Sequence, residues 1–241
     1  MTVLQLSWQE LSSTPAFGIA ATLTFYWLGC CAQRAAGGSP VCNPVLIAIA
    51  LIIALLLLTG TSYQTYFKSA AWIHFLLGPA TVALAIPLYR KLGEIRRAAW
   101  AIGAAVTAGA ITASGSAVLI TWIAGASPLV IRSIAPKSVT TPIAIGVSSQ
   151  IGGLPALTAV LVIATGVLGA LWAPEVAGLI GVRCPRAQGL AAGVSGHGIA
   201  TARMLALDET AGAFAGLAMG LCGLLTAVML PYAFRLLPIG G

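Results

Sequence analysis

Charged side chains are scarce in this chain. Of 241 residues only 7% are Asp, Glu, Lys or Arg, against about 25% in an ordinary soluble domain. None of the five acids falls in the middle of an apolar run. Histidine occurs twice, as His74 and His197. There is no phosphate-cradling glycine loop, no metal-ligand cluster and no nucleophile, base and orienter placed together, so neither an enzyme nor a bound metal or cofactor is expected. The five cysteines make an odd count without a CxxC pair, which argues against a disulfide framework or a zinc site. Cys30, Cys31 and Cys222 sit in apolar runs and read as small packing residues. The first fourteen residues carry Glu10 but no Lys or Arg; without a basic leader region the first apolar run reads as a retained span rather than a cleaved signal. Short alternating strands of the outer-membrane-barrel kind are also missing.

What fills the chain is apolar, at 59%. Several runs exceed the roughly 18 residues that cross about 30 Å of hydrocarbon as a helix, and helices satisfy their own backbone where water is absent. The expected fold class is all-α and integral to a membrane, a polytopic helical bundle. Spans are expected at 15–31, 44–60, 70–88, 98–124, 157–180 and 210–230. Two stretches differ from these. Residues 132–153, RSIAPKSVTTPIAIGVSSQIGG, and 189–205, GLAAGVSGHGIATARML, are rich in Ser, Thr, Gly or Pro and carry cations. Such backbone is tolerated at membrane depth only inside protein or beside a watery cavity. They are expected to be broken or re-entrant segments.

The net charge of +7 comes from cations standing singly or in short loops, which is the pattern of membrane topology rather than of a nucleic-acid footprint. The densest loop, YRKLGEIRR at 89–97, is expected on the cytoplasmic side. The loop at 34–43, two spans earlier, joins it there, and so does the loop at 183–186 if 132–153 is re-entrant. PATVALAI at 79–86 aligns without gaps on PKSVTTPI at 136–143, and each copy precedes a Gly and a long apolar span, which suggests inverted repeats. The organisation expected is one membrane domain, 1–241, with a peripheral first span and loop at 1–43, and repeat halves at about 44–125 and 126–235. Gly212, Gly216 and Gly220 repeat GxxxG twice; the stripe serves either internal packing or a dimer face.

An anion would find much to bind here. Pro136 and Pro142 interrupt the helix and free backbone amides, and a helix N-terminus favours negative charge. Ser138, Thr140 and Thr141 add hydroxyls, and Lys137 adds charge. In SGHGIAT, Ser195 to Thr201, two glycines flank His197 and allow close backbone approach, with Arg203 six residues beyond the histidine. Against this stand plainer readings, in which Lys137 snorkels and the hydroxyls bond the preceding turn.

Three stretches carry a family likeness: LLGPATVALAIPLY at 76–89, PKSVTTPIAI at 136–145, and PRAQGLAAGVSGHGIATARML at 185–205, continued by ETAGAFAGLAMGLCGLLTAVMLP. They resemble the LrgB/CidB family of bacterial membrane proteins over roughly residues 40–235, while the stretch before Asn43 lies outside the likeness. The resemblance implies an antiholin-like protein with a smaller LrgA/CidA-type membrane partner. It equally implies kinship with the LrgB-like part of a plant plastid translocator of glycolate and glycerate. The implied function is carriage of short hydroxy- or keto-monocarboxylates such as glycolate, glycerate, lactate or pyruvate across the bacterial inner membrane. The matching residues are Pro79, Thr81, Lys137, Ser138, Thr140, Thr141, Pro142, His197, Gly198 and Thr201. The expected assembly is a homo-oligomer, with a dimer favoured.

Overall fold

A computed structural model describes residues 3–37, 42–83 and 85–236, with side-chain surroundings for all but 3–6, 77, 78, 80, 81 and 85. Its described residues form helices joined by short turns. The chain divides into two compact units, Met1–Ala83 and Leu84–Gly241.

The N-terminal unit holds α1 (Val3–Ser13), α2 (Pro15–Ala35), α3 (Pro44–Thr59), α4 (Tyr63–Ser69) and α5 (Ala71–Ala83). Its boundaries are written in local chemistry. Thr14 accepts a hydrogen bond from the Phe17 amide ahead of Pro15, and Asn43 accepts from Val45 and Leu46 ahead of Pro44. A proline in the first turn has no N–H to leave unpaired, so both helices start cleanly. Gly60, at φ 65°, closes α3 in the left-handed conformation. Within the unit Trp8 donates to Thr61 at 2.9 Å and Thr22 meets Tyr66 at 2.6 Å. α3 has 16 residues, about 24 Å of helix, and is short for a span. The span expected at 70–88 falls on α5, with Pro79 inside it, and on α6 (Ala85–Arg90), with residue 84 between them outside the described residues.

The C-terminal unit continues with α6, α7 (Leu92–Arg97), α8 (Ala99–Ile123), α9 (Pro128–Ile134), α10 (Thr141–Gln150), α11 (Pro155–Leu179), α12 (Pro185–Leu207) and α13 (Glu209–Leu236). Four described helices of the chain, α2, α8, α11 and α13, are long and apolar enough to cross a membrane. They match the expected spans at 15–31, 98–124, 157–180 and 210–230 to within a few residues, except that α13 runs on to Leu236. Large apolar side chains such as Leu58, Trp100 and Leu179 are exposed, the surface expected of a protein dissolved in acyl chains. Trp100 and Trp122 stand exposed near the two ends of α8, about 33 Å apart along the helix, the spacing of the aromatic belts of a bilayer.

Inside this unit the chain turns back twice. Added Cβ atoms on Gly189 and Gly193 of α12 would lie 2.2 Å from the carbonyls of Ala211 and Ala215 of α13. Both numbers rise together, so the first limb of α12 runs parallel to the start of α13. A straight α12 would run antiparallel to it. The reversal sits at His197, whose φ of 39° and ψ of −131° are non-helical. A second excursion lies between α9 and α10. Ser133 and Ser148 are fifteen positions apart in sequence, yet the Thr158 hydroxyl of α11 reaches the Ser133 carbonyl at 2.9 Å and the Ser148 hydroxyl at 2.7 Å. Residues 134–147 therefore leave α11 and return to the same level.

Candidate functional site

The first turn-back is opened by sequence. α9 ends at Ile134, Pro136 and Pro142 bracket the interruption, and α10 starts only at Thr141. Ser133 anchors the base: its hydroxyl accepts from the Leu154 amide at 2.8 Å and donates to the Leu129 carbonyl at 2.6 Å. Gly153 fits because its missing Cβ would lie 2.5 Å from the Ser148 hydroxyl. Between these anchors the polar groups are largely unpaired. Thr140 caps α10 without a side-chain hydrogen bond. The hydroxyls of Ser138, Thr140 and Thr141 have no partner among the described residues, nor does the Lys137 ammonium. The amides of Ser138, Thr140, Thr141 and Ile143 likewise find no acceptor there. Val139 next to them is fully buried, Ser138 is 5% exposed, and Lys137 is half-buried. No inaccessible side-chain polar atom among the described residues lacks a partner, so the Ser138 hydroxyl is not wholly enclosed. Pro142 is exposed on the first turn of α10.

The second turn-back is made by one residue, whose imidazole and carbonyl both have partners. The His197 Nε2–H donates to the Val162 carbonyl of α11 at 3.0 Å; a carbonyl can only accept, so the proton resides on Nε2. The ring fits because Gly166 has no Cβ, which would stand 2.5 Å from the imidazole Cε1. Gly169 in the same way lets Gly196 approach, at 2.6 Å from its virtual Cβ. The Thr201 hydroxyl donates to the His197 carbonyl at 2.7 Å. Gly198 lies beside Met219. Ser195 is exposed and bonds back to the Ala191 carbonyl at 2.8 Å. Arg203 has a structural employment that composition did not suggest. Pro174 has no N–H for the Ala170 carbonyl one turn earlier, and the Arg203 guanidinium donates to that carbonyl, to Leu171 at 2.8 Å, and to Glu175 at 2.6 Å.

The two turn-backs share one core. Val139 of the first, Val194 beside the second, and Val162, whose carbonyl holds His197, belong to a single buried cluster with Phe214, Ala218 and Cys222. The residues of the first group, Lys137, Ser138, Thr140, Thr141 and Pro142, are thus brought together on one stretch. Those of the second, Ser195, His197, Gly198, Thr201 and Arg203, are spread over several faces. Pro79 is exposed on α5 in the other unit, and the side chain of Thr81 lies outside the described residues. Sequence reasoning missed Ser133, Ser148 and Thr158, which fasten the first turn-back, and Gly166 and Gly169, which seat the second. A GxxG pair in an otherwise bulky apolar span is a usable signal for the latter; the hydroxyl triad has none.

These features define a multi-pass helical membrane protein with two interrupted segments packed on one central helix. The chain belongs to the LrgB-like family, whose profile matches residues 22–236. That match begins within α2, earlier than the motifs suggest. It is 32% identical to the antiholin-like protein LrgB of Bacillus mycoides (strain KBAB4) over 222 residues, 90% of this chain and 95% of that one. The same figures hold for the antiholin-like protein LrgB of Bacillus cereus (strain B4264). An uncharacterized protein of Haemophilus influenzae is 33% identical over 199 residues, 83% of this chain and 86% of its own. No solved structure matches.

Proposed function

We propose that this protein is a carrier for small hydroxy- or keto-monocarboxylates of the glycolate, glycerate, lactate or pyruvate class, working by alternating access in the bacterial inner membrane. The observation that carries the reading is the first turn-back. A cation, three hydroxyls and four backbone amides without partners are held on one short stretch whose neighbours are buried. A carboxylate is the guest that such donors suit, because hydrogen bonds to a charged acceptor are the strong ones and a helix start adds favourable potential. Lys137 supplies charge, and Ser138, Thr140 and Thr141 with the amides of Thr141 and Ile143 supply direction. His197, Gly198 and Thr201 form the facing tip, while Arg203 positions it.

Both turn-backs are read as re-entrant, entering from opposite membrane faces. Two facts support that. The first is fastened near the beginning of α11, at Thr158, whereas the second meets α11 at Gly166, Gly169, Ala170 and Glu175 on the way to its end. Arg186 pairs with Glu94 at 3.5 Å and Glu209 with Arg90 at 3.3 Å, which gathers the basic loops at one end, read as cytoplasmic by the positive-inside rule.

A second reading is favoured by the relatives' names: an antiholin-like regulator of murein hydrolase export that acts with an LrgA/CidA-type partner. In either reading the protein is not an enzyme, and a homodimer is expected, with Gly220, which faces open space, on the free part of the glycine stripe. Purified protein in proteoliposomes separates the two. A carrier gives saturable uptake of radiolabelled glycolate or pyruvate with mutual competition. Absence of uptake for the whole class, with and without the partner, removes the carrier reading.

A further inference from the structure

Met219 of α13 belongs to neither turn-back, yet it touches one and lies level with the other. Its Sδ stands 4.0 Å from the Thr201 hydroxyl, and a Cβ added to Gly198 would lie 3.9 Å from that sulfur. The thioether therefore rests against the second turn-back. One turn further along α13 the helix meets the first: a Cβ on Gly223 would lie 2.8 Å from the Ile143 Cδ1, in the opening turn of α10. Residues four apart share a helix face and stand about 6 Å apart along the axis. Both turn-backs thus address the same face of α13.

The direction of α10 places Met219 more closely. Ile143 meets Gly223, and Val147 and Ile151 cluster with Leu230 further on, so residue numbers rise together and the two helices run parallel here. Stepping one turn back from Gly223 brings Met219 level with the residues just ahead of Ile143, which are those of the carboxylate cradle. Val139, between Ser138 and Thr140, shares a buried cluster with Ala218 and Cys222, which flank Met219 in sequence. Met219 itself is only partly buried. An unbranched thioether with three rotatable bonds adapts to irregular space and changes rotamer without any movement of the backbone.

We propose that Met219 sets the size of substrate: its thioether closes the apolar side of the cradle against the second turn-back, so that acids of two or three carbons fit and longer, branched ones do not. The assignment rests on the carrier reading. The cation, hydroxyls and amides of the first turn-back engage a carboxylate, which every acid of the class carries and which cannot tell one from another. Selection by length then falls to an apolar wall beyond the carboxylate. Gly198 on the far side of the sulfur brings no side chain, so shortening Met219 opens room there.

The test compares uptake of radiolabelled pyruvate and of 2-oxoisovalerate, its branched five-carbon analogue, in proteoliposomes of the full-length protein. Met219→Ala should raise the ratio of 2-oxoisovalerate to pyruvate uptake by about tenfold or more, the scale on which an apolar pocket sorts chains that differ by a methylene or two. Met219→Leu, which conserves volume, should keep the wild-type ratio. A second measurement needs no variant. Hydrogen peroxide converts accessible thioethers to sulfoxides, and saturating glycolate should slow oxidation of Met219 severalfold, read by peptide mass. Ethylene glycol should not, and Met204 and Met229 should oxidise at unchanged rates. An unchanged ratio in a Met219→Ala protein that still carries pyruvate overturns the assignment and leaves the carrier reading standing. Equal oxidation of Met219 with and without glycolate overturns it too, and decides the matter alone if the alanine variant fails to fold. Absence of uptake of every acid by the wild-type protein overturns both.

Discussion

The two turn-backs solve the same problem in opposite ways. Between Ile134 and Thr141 the chain gives up helix for six residues and leaves hydroxyls, amides and an ammonium without partners among the described residues. At His197 it reverses on one residue, whose imidazole donates to the Val162 carbonyl and whose own carbonyl accepts from the Thr201 hydroxyl. Unpaired polar groups inside a membrane are costly and persist where something binds them, and under the proposed carrier reading the first turn-back receives that guest. The second is built to hold its own shape, with strain of about 1 to 3 kcal/mol stored in the backbone of a non-glycine residue at positive φ. A carrier needs both qualities.

The contrast can be attacked at its strongest point first. Gly193→Ala would place a methyl 2.2 Å from the Ala215 carbonyl, against backbone that cannot give way. Overpacking of this kind costs about 1 to 3 kcal/mol or more, and the expected outcome is a large loss of monodisperse protein and of Tm on size-exclusion and unfolding assays. Wild-type behaviour would mean that the limbs are not packed in parallel.

Lys137→Ala comes next. It should leave folding intact and raise the half-saturation for carboxylate by about 5- to 150-fold, the equivalent of about 1 to 3 kcal/mol for hydrogen bonds to a charged group. Ser138→Ala and Thr140→Val should each cost about 1 kcal/mol, whereas Ser195→Ala, exposed and bonded to its own helix, should stay within about 0.5 kcal/mol. Equal effects at Ser195 and Ser138 would erase the distinction between the two regions.

His197 offers a finer cut. His197→Gly relieves the backbone while deleting the imidazole, and His197→Ala deletes it while keeping the strain. The glycine variant should be the more stable by about 1 kcal/mol, read as Tm. If alanine is as stable as glycine, the reversal is not a strained one.

The smallest effect concerns sidedness. The Cys184 thiol, exposed at the start of α12, is pulled below the usual cysteine range mainly by the hydrogen bond from the Ala187 amide, with Arg186 assisting. Since a lowered value keeps the reactive thiolate populated as pH falls, maleimide labelling should fade at lower pH than for an ordinary cysteine. In intact cells an impermeant maleimide should miss it, and in inverted vesicles it should react. Labelling from outside would reverse the entry side of the second turn-back.

Much of this architecture was legible in the chain. Long apolar runs gave four helices, and the crowding of Ser, Thr, Gly and Pro within an apolar frame marked both interrupted segments. The reversal at His197 was not legible as such, because SGHGIATARML reads equally as a continuous small-residue helix; only the parallel run of Gly189 and Gly193 along α13 reveals it. Arg203 looked like a free cation near a histidine, since its carbonyl partner arises from a proline 29 positions earlier that sequence spacing does not connect with it.

That last pairing reaches beyond the fold. Pro174 creates the vacancy at the Ala170 carbonyl that the Arg203 guanidinium fills, so neither residue acts for itself alone. Replacing Pro174 with a residue that restores the missing N–H would let α11 satisfy its own carbonyl and release the arginine. The two positions should therefore behave genetically as a lesion and its suppressor, and relatives that drop the proline are free to drop the arginine with it.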